Sequence, residues 1–293
     1  MSVAEERDRV GSVLDGWTLE RVIGRGGMGV VYAASDSSGA RAAVKILHAA
    51  FSRNPEVQER FRREAYAANR VEHRGAVRML ADGVIGTDED HERASYLVME
   101  LLEGESLEHR LHTDRVPSSL ELLAILDGVL DVLDNAHRRG VLHRDLKPAN
   151  LFLTASGDPL VKVLDFGLAR IEELQGSTGA GHALGTPSYM APELASGRGA
   201  DVDARTDLFA LGATAFVVLT GKPVHEAPTP VHLVLKMAST PAPSVKSCAP
   251  HASSSVARIV DRALSFRKED RYPSAAAMRD DVAAAIELGI TRP

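Results

Sequence analysis

The 293-residue sequence has a single cysteine, Cys248, so no internal disulfide can form and nothing in it calls for an oxidising compartment. That thiol is expected to be passive. The sequence also lacks any run near the roughly 18 to 20 apolar residues that a spanning helix needs, and no membrane segment is expected. Positive charge is not in excess: 34 Lys and Arg against 40 Asp and Glu leave a formal charge of -6. A general nucleic-acid or membrane-surface binder needs concentrated positive charge, so both classes are disfavoured. Met1 to Asp15 form a charged tail where a signal peptide would be apolar. The expectation is a cytoplasmic protein, or the cytosolic domain of a larger tethered one. No internal repeat is visible. Apolar residues make up 44% of the chain and charged residues 25%, enough core for one large domain or two compact lobes.

From Trp17 to about Tyr96, short apolar runs alternate with Gly, Ser and Asp turns, as in a small antiparallel sheet carrying one helix. The later part reads as helical. An apolar pattern from Leu120 to Arg139 ends at Gly140, and Asp203 to Leu219, apolar on nearly all sides, ends at Gly221 before Pro223. Gly86 to Ala94 reads as an exposed acidic loop, and Ser239 to Ser255, rich in Pro, Ser and Ala, as a surface connection.

Chemistry concentrates in His143-Arg144-Asp145-Leu146-Lys147-Pro148-Ala149-Asn150, followed fifteen residues after Asn150 by Asp165-Phe166-Gly167. Asp145 can accept a proton from a substrate hydroxyl, while Asn150 and Asp165 offer the hard oxygen donors that Mg²⁺ prefers on a nucleotide's phosphates. Gly24-Arg25-Gly26-Gly27-Met28-Gly29 fits G-x-G-x-x-G, a weak string alone. A dinucleotide fold needs a helix directly after it, whereas Val30-Val31-Tyr32-Ala33-Ala34 looks like a strand, so the glycines belong to a hairpin flap that can cover phosphates with backbone amides. Glycine there allows close approach and positive φ. Lys45 lies in the strand-like Ala42 to Leu47, where it must reach solvent at an edge or meet a buried partner. The next helix, which Asn54 can cap and Pro55 can start, supplies that partner. Val57, Phe61, Glu64, Ala68 and Val71 share one stripe, and a carboxylate in the middle of an apolar face needs a cation.

In their order these motifs resemble a eukaryotic-type protein kinase domain from about Trp17 to about Leu288, and most closely the bacterial serine/threonine kinases, through Lys147 and the segment Gly185-Thr186-Pro187-Ser188-Tyr189-Met190-Ala191-Pro192-Glu193. The resemblance implies an α+β, two-lobed protein kinase fold: a small antiparallel-sheet lobe with one key helix and a hinge over 16–102, then a larger, mostly helical lobe over 103–293. It implies transfer of the ATP γ-phosphate to protein hydroxyls, with Asp145 as base, Lys147 offsetting charge, Lys45 and Glu64 orienting the phosphates, and the Thr186 hydroxyl bridging Asp145 and Lys147. Asn150 and Asp165 would hold Mg²⁺, with Mn²⁺ as an alternative. Gly24, Arg25, Gly26, Gly27, Met28, Gly29, Val31, Ala43, Lys45, Met99, Glu100, Leu102 and Phe152 would contact ATP. By the same resemblance Met99-Glu100-Leu101-Leu102 matches the family's hinge, which would hydrogen-bond adenine.

His143 is expected to pack beneath the loop, Asp207 to hold the loop's backbone, and Glu193 to pair with Arg271. Arg144 would bind a phosphate placed on Ser177 or Thr178, with Arg170 nearby, so autophosphorylation, including self-association in trans, is expected beside action on protein substrates. The departures are Arg74 after His73, Arg267-Lys268-Glu269 in place of Asp-Pro-Glu, and the small Ala68, which leaves the helix less well packed. A nucleotide-binding pseudokinase or scaffold of the same fold is the alternative, and a small-molecule phosphotransferase a second one.

Overall fold

The computed structural model describes residues 9–27, 29–48, 51, 57–58, 61, 69–86, 94–158, 160–166, 187–198 and 201–290. Met28, Asn54, Pro55, Glu64, Ala68, Arg170, Ser177, Thr178 and Thr186 lie outside the described residues. Contacts divide the chain into two compact units: Met1–Asn69 with Val77–Glu103, and Arg70–Ala76 with Gly104–Pro293.

In the first unit the strands are β1 (Val13–Leu14), β2 (Trp17–Arg25), β3 (Gly29–Ser35), β4 (Arg41–Leu47), β5 (Met79–Ile85) and β6 (Ala94–Glu100). They form one antiparallel sheet in the order β1-β2-β3-β4-β6-β5. Its core follows the two-residue period of a strand. Val30, Tyr32 and Ala34, Ala42, Val44 and Ile46, and Ala94, Tyr96 and Val98 form one buried cluster, capped by Leu19. The Tyr96 hydroxyl donates to the Asp15 carboxylate, fastening the turn after β1 to the middle of the sheet. Lys45 stands opposite Val31 on β3 and Leu97 on β6. Since β4 is an interior strand, the edge-lysine reading is excluded, and Lys45 is only 9% exposed. Val57, Gln58 and Phe61 are helical, and Val57 and Phe61 are fully buried, as their common stripe requires.

The second unit opens with a three-stranded sheet, β7 (Gly104–Ser106), β8 (Leu151–Thr154) and β9 (Val161–Val163). Gly104, at φ 141°, has no substitute here, because a Cβ would lie 2.0 Å from the Leu153 carbonyl oxygen. Helix Ser119–Arg138 is capped by the Ser118 hydroxyl, which accepts from the Glu121 N–H at 3.2 Å. It buries Leu122, Leu123, Ile125, Leu126, Val129, Leu130, Val132, Leu133 and Ala136. Helix Ala204–Thr220 is capped by Asp203 and closed by Gly221 in the left-handed region at φ 67°. Its buried residues run round the whole circumference, as its uniformly apolar sequence predicts. Helices Pro230–Ser239, Ser254–Ala263 and Ala275–Ile290 complete the unit. Through Arg279, whose Nε donates to Asp127 at 2.8 Å and whose Nη1 meets Asp131, the last of these packs on helix Ser119–Arg138.

One expectation needs correction. The stretch from Ser239 to Ser255 is more than a surface connection: Val245 begins a short helix, Val245–Cys248, and is fully buried, and its N–H donates to Asp261 at 2.8 Å.

A buried ion pair joins Arg271 to Glu193, with 2% and 4% exposure. Nη1 and Nη2 of Arg271 donate to the two carboxylate oxygens at 2.9 and 2.8 Å. The remaining guanidinium donors reach the carbonyls of Ser265, Arg205 and Phe266 at 2.9, 3.2 and 3.3 Å, and Thr206 donates to Glu193 at 2.8 Å. Five donors thus have five acceptors, which is what makes a buried arginine tolerable. Burial would raise the Glu193 carboxyl, but the hydrogen bonds and charge of Arg271, with Thr206, hold it below the ordinary carboxyl range. A carboxyl with a depressed folded pKa stabilises fully above its unfolded pKa and stops doing so as pH falls through the folded value. Arg271→Met, which strands the carboxylate, should lose about 3 to 5 kcal/mol in urea unfolding at pH 7. Arg271→Met combined with Glu193→Leu should lose less, and a Glu193→Gln protein should show a shallower loss of stability on acidification.

Candidate active site

The flap between β2 and β3 closes as a tight turn. Gly26 N–H donates to the Gly29 carbonyl at 2.9 Å, and Gly29 N–H returns to the Gly26 carbonyl at 3.3 Å. Gly29 is glycine for a reason the motif does not reveal: a Cβ there would sit 2.2 Å from the Ile46 carbonyl oxygen on β4. None of Gly24, Gly26, Gly27 and Gly29 adopts positive φ, contrary to expectation, so close approach and not left-handed geometry accounts for Gly29. On the same unit Ala43 pairs with Met99, Val31 with Lys45, and Met99 is 8% exposed. Glu100 is tied to Arg78 by its N–H at 3.0 Å and its carboxylate at 2.8 Å, which fixes the end of β6 just before Leu101 and Leu102.

The second unit carries the loop from His143 to Asn150. Asp207 is 1% exposed on helix Ala204–Thr220 and accepts the backbone N–H of His143 at 2.9 Å and that of Arg144 at 2.8 Å. His137 Nε2–H donates to the same carboxylate at 2.8 Å. Burial would raise Asp207, yet the hydrogen bond and charge of His137, followed by His143, keep it ionised and below the usual range. The expected role of Asp207 is therefore visible as two hydrogen bonds. His137 is a member that reading the sequence missed, since nothing in a histidine near a helix end says that its ring meets a carboxylate 70 positions later.

His143 is fully buried and its ring links two segments. Nε2–H donates to the Leu164 carbonyl at 2.8 Å, Nδ1 accepts the Asp145 N–H at 3.2 Å, and the ring lies 4.8 Å from that of Phe166. Leu164 N–H donates to the Asn150 carbonyl at 2.9 Å, and Val163 N–H to the Gly75 carbonyl at 2.7 Å. Asp165 follows at φ 53° and Arg144 sits at φ 67°, both strained for residues with a Cβ. Neighbours on either side hold them there.

Asp145 and Lys147 form a half-exposed pair, Nζ to Oδ2 at 2.7 Å, with the side chains 31% and 22% exposed. Asn150, at the end of a 3₁₀ turn opened by Pro148, donates its amide to the Asp145 carbonyl at 2.7 Å and to Oδ2 at 3.2 Å. With that nitrogen committed inside the loop, Oδ1 is the atom left to a cation, which fits a hard metal ion. Phe152 follows on β8, paired with Ser106 and Lys162. The loop thus brings Asp145, Lys147 and Asn150 together and couples them through backbone to Asp165. Glu64 and Thr186 lie outside the described residues.

The sequence profile of the protein kinase domain matches residues 17–282. The chain belongs to the protein kinase domain family. Serine/threonine-protein kinase Pkn1 of Myxococcus xanthus is 40% identical over 97% of this chain and 40% of its own length. Serine/threonine-protein kinase PknB of Mycobacterium leprae is 35% identical over 92% of this chain and 42% of its own length. The kinase domain thus spans about two fifths of the length of these relatives. The crystal structure of the Mycobacterium tuberculosis PknI kinase domain aligns with a TM-score of 0.70 at 30% identity, covering 94% of this chain and 98% of that one. These relatives place the kinase domain among the bacterial eukaryotic-type serine/threonine group, on the two-lobed α+β protein kinase fold.

Asp207→Asn tests the loop anchor. An amide in place of the carboxylate turns an NH₂ toward a backbone N–H, so the loop must shift, and misplacement by about 1 Å can cost on the order of 100-fold in rate. Phosphotransfer kcat should fall by about that factor while Mg-ATP affinity changes little, as read by steady-state kinetics beside calorimetric titration.

Proposed function

We propose that this kinase domain transfers the γ-phosphate of ATP to serine or threonine hydroxyls of proteins. The observation that carries the reading is the loop in which Asp145, Lys147 and Asn150 are hydrogen-bonded to one another and held from beneath by Asp207. Asp145 would accept the hydroxyl proton, and Lys147, 2.7 Å from it, would offset the charge that develops on the transferring group. Asn150 and Asp165 would hold Mg²⁺, or Mn²⁺, which when bound shields the phosphate oxygens. Lys45, with Glu64 as its partner, and the Gly24 to Gly29 flap are assigned to the phosphates. Val31, Ala43, Met99, Glu100, Leu102 and Phe152 are assigned to the base and sugar. Thr186 is assigned to bridging Asp145 and Lys147. Most of the rate comes from positioning and charge stabilisation, since the chain itself forms no covalent intermediate in this scheme.

Control by phosphorylation of Ser177 or Thr178 belongs to the same proposal. Arg144 Nε is buried and has no hydrogen-bond partner among the described residues, so a loop phosphate would satisfy a donor already in place. Transient self-association would allow that step in trans. No described helix is long and apolar enough to cross a membrane. A cytosolic site of action, as a free enzyme or as the kinase part of a longer tethered protein, fits the hydroxyl-bearing substrates and Mg-ATP.

The decisive assay is transfer of labelled γ-phosphate to a generic protein. Asp145→Asn should lower kcat by about 10² to 10⁴, the contribution of a positioned base, while Mg-ATP affinity holds. Lys45→Met should lower transfer to a similar extent with the fold intact by circular dichroism. An Asp145→Asn enzyme within threefold of wild type would remove Asp145 from the base role, and a wild type that binds Mg-ATP without transfer would support the pseudokinase.

A further inference from the structure

The flap has a pin that the glycine motif does not contain. His48, the residue after β4, donates from Nε2 to the carbonyl oxygen of Gly26 at 3.0 Å. Gly26 and Gly27 are exposed, and glycine peptides rotate at little steric cost, so the direction of the Gly26–Gly27 peptide rests on what its carbonyl accepts: the Gly29 N–H at 3.3 Å across the turn and, at the shorter distance, the His48 ring. In a planar trans peptide the C=O and the following N–H point in opposite directions. A bond that draws the Gly26 oxygen to the ring at the end of β4 therefore turns the Gly27 N–H to the other side of the flap. The Gly26 N–H is already spent on the Gly29 carbonyl, which leaves Gly27 as a donor whose aim matters. Gly29 seats the base of the flap against the Ile46 carbonyl. The flap is thus held to β4 at its base by close packing and near its tip by His48.

We infer that His48 is a positioning residue for nucleotide phosphate: by holding the Gly26 carbonyl, it pre-sets the Gly26–Gly27 peptide so that the Gly27 N–H is presented to a phosphate oxygen. This inference rests on the kinase reading. Its chemistry is a neutral hydrogen bond that replaces a search among peptide orientations, so it acts on binding of phosphate-bearing ligands and not on recognition of the base. Both neutral His48 with the proton on Nε2 and the imidazolium can donate this bond, so the pin itself does not require a charge.

The test compares His48→Phe, which keeps a ring but no donor, and His48→Gln, which restores an N–H at similar reach, in the full chain. Affinities for Mg-ADP and for adenosine, which lacks phosphate, are measured by calorimetry, and the Gly27 amide is followed by ¹H–¹⁵N NMR. His48→Phe should weaken Mg-ADP by about two- to tenfold, the worth of one neutral hydrogen bond. Adenosine affinity should stay within twofold, and His48→Gln should recover most of the loss. In the wild type the Gly27 amide should shift on Mg-ADP addition, and less so in His48→Phe. Equal loss for Mg-ADP and adenosine, or no loss in His48→Phe, overturns the role of His48. So does a Gly27 amide that ignores Mg-ADP bound to the wild type. A wild type that binds neither ligand instead fails the kinase reading itself, and the inference with it.

Discussion

Everything in the second unit that touches chemistry is indexed to the carboxylate of Asp207. An ionised carboxylate inside a helix that is apolar all round would be excluded on desolvation grounds alone unless its oxygens were satisfied. Three donors satisfy them: the backbone N–H groups of His143 and Arg144 and the His137 ring. Two of those donors belong to the loop that carries Asp145, so the same bonds that make the charge tolerable also set where the loop sits. The order then propagates through short links. The His143 ring, held by its own backbone bond, fixes the Leu164 carbonyl, and Asn150 fixes the Leu164 N–H, which leaves Asp165 little freedom.

The buried charges divide into two kinds, and the division follows exposure. Arg271 and Glu193 are nearly inaccessible, with every guanidinium donor assigned, so neither can be lent to a substrate. Their work is to fasten the segment from Pro187 to Glu193 to the region around Ser265 and Phe266. The Asp145–Lys147 pair is the opposite case: about a quarter to a third exposed, joined by one short contact, and open to exchange. A solvent-facing pair has a small net interaction energy. That weakness suits the proposed function, in which Asp145 would turn to a hydroxyl and Lys147 to a phosphoryl group.

Much of this was legible in the sequence because it is written locally. The left-handed glycine that closes a helix at Gly221 and the strand-forming runs of β3, β4 and β6 follow from neighbours within a few positions. The grouping of Asp145, Lys147 and Asn150 was legible because they occupy one short loop. What escaped depends on contacts between distant segments. Gly29 looked like a phosphate glycine and is one that β4 demands; the Ser239 to Ser255 stretch looked like a surface connection and buries Val245. His137 and His48 gave no signal, since each acts through a partner more than twenty positions away. Residues 70–76 lie in sequence between two stretches of the first unit, yet they join the second unit through the Gly75 carbonyl, again by a pairing that no local pattern records.

In the proposed function the loop and the flap both aim polar groups at phosphate, and they do so by opposite means. In the loop, Arg144 and Asp165 hold positive φ with a Cβ present, at a cost of roughly 1 to 3 kcal/mol each. Such geometry persists only where surrounding bonds over-determine it, and the Asp207 and Leu164 contacts do so. The flap glycines carry no such strain, and their orientation is set by a few bonds only: the Gly26–Gly29 pair within the turn and the His48 ring from outside it. Strain with many anchors yields a rigid element, and freedom with few anchors yields one that can open. A flap that takes up and releases nucleotide, as the proposed function requires, is better served by the second arrangement, and its aim then rests on the Gly29 N–H within the turn and on one bond from the sheet. Here that bond comes from His48.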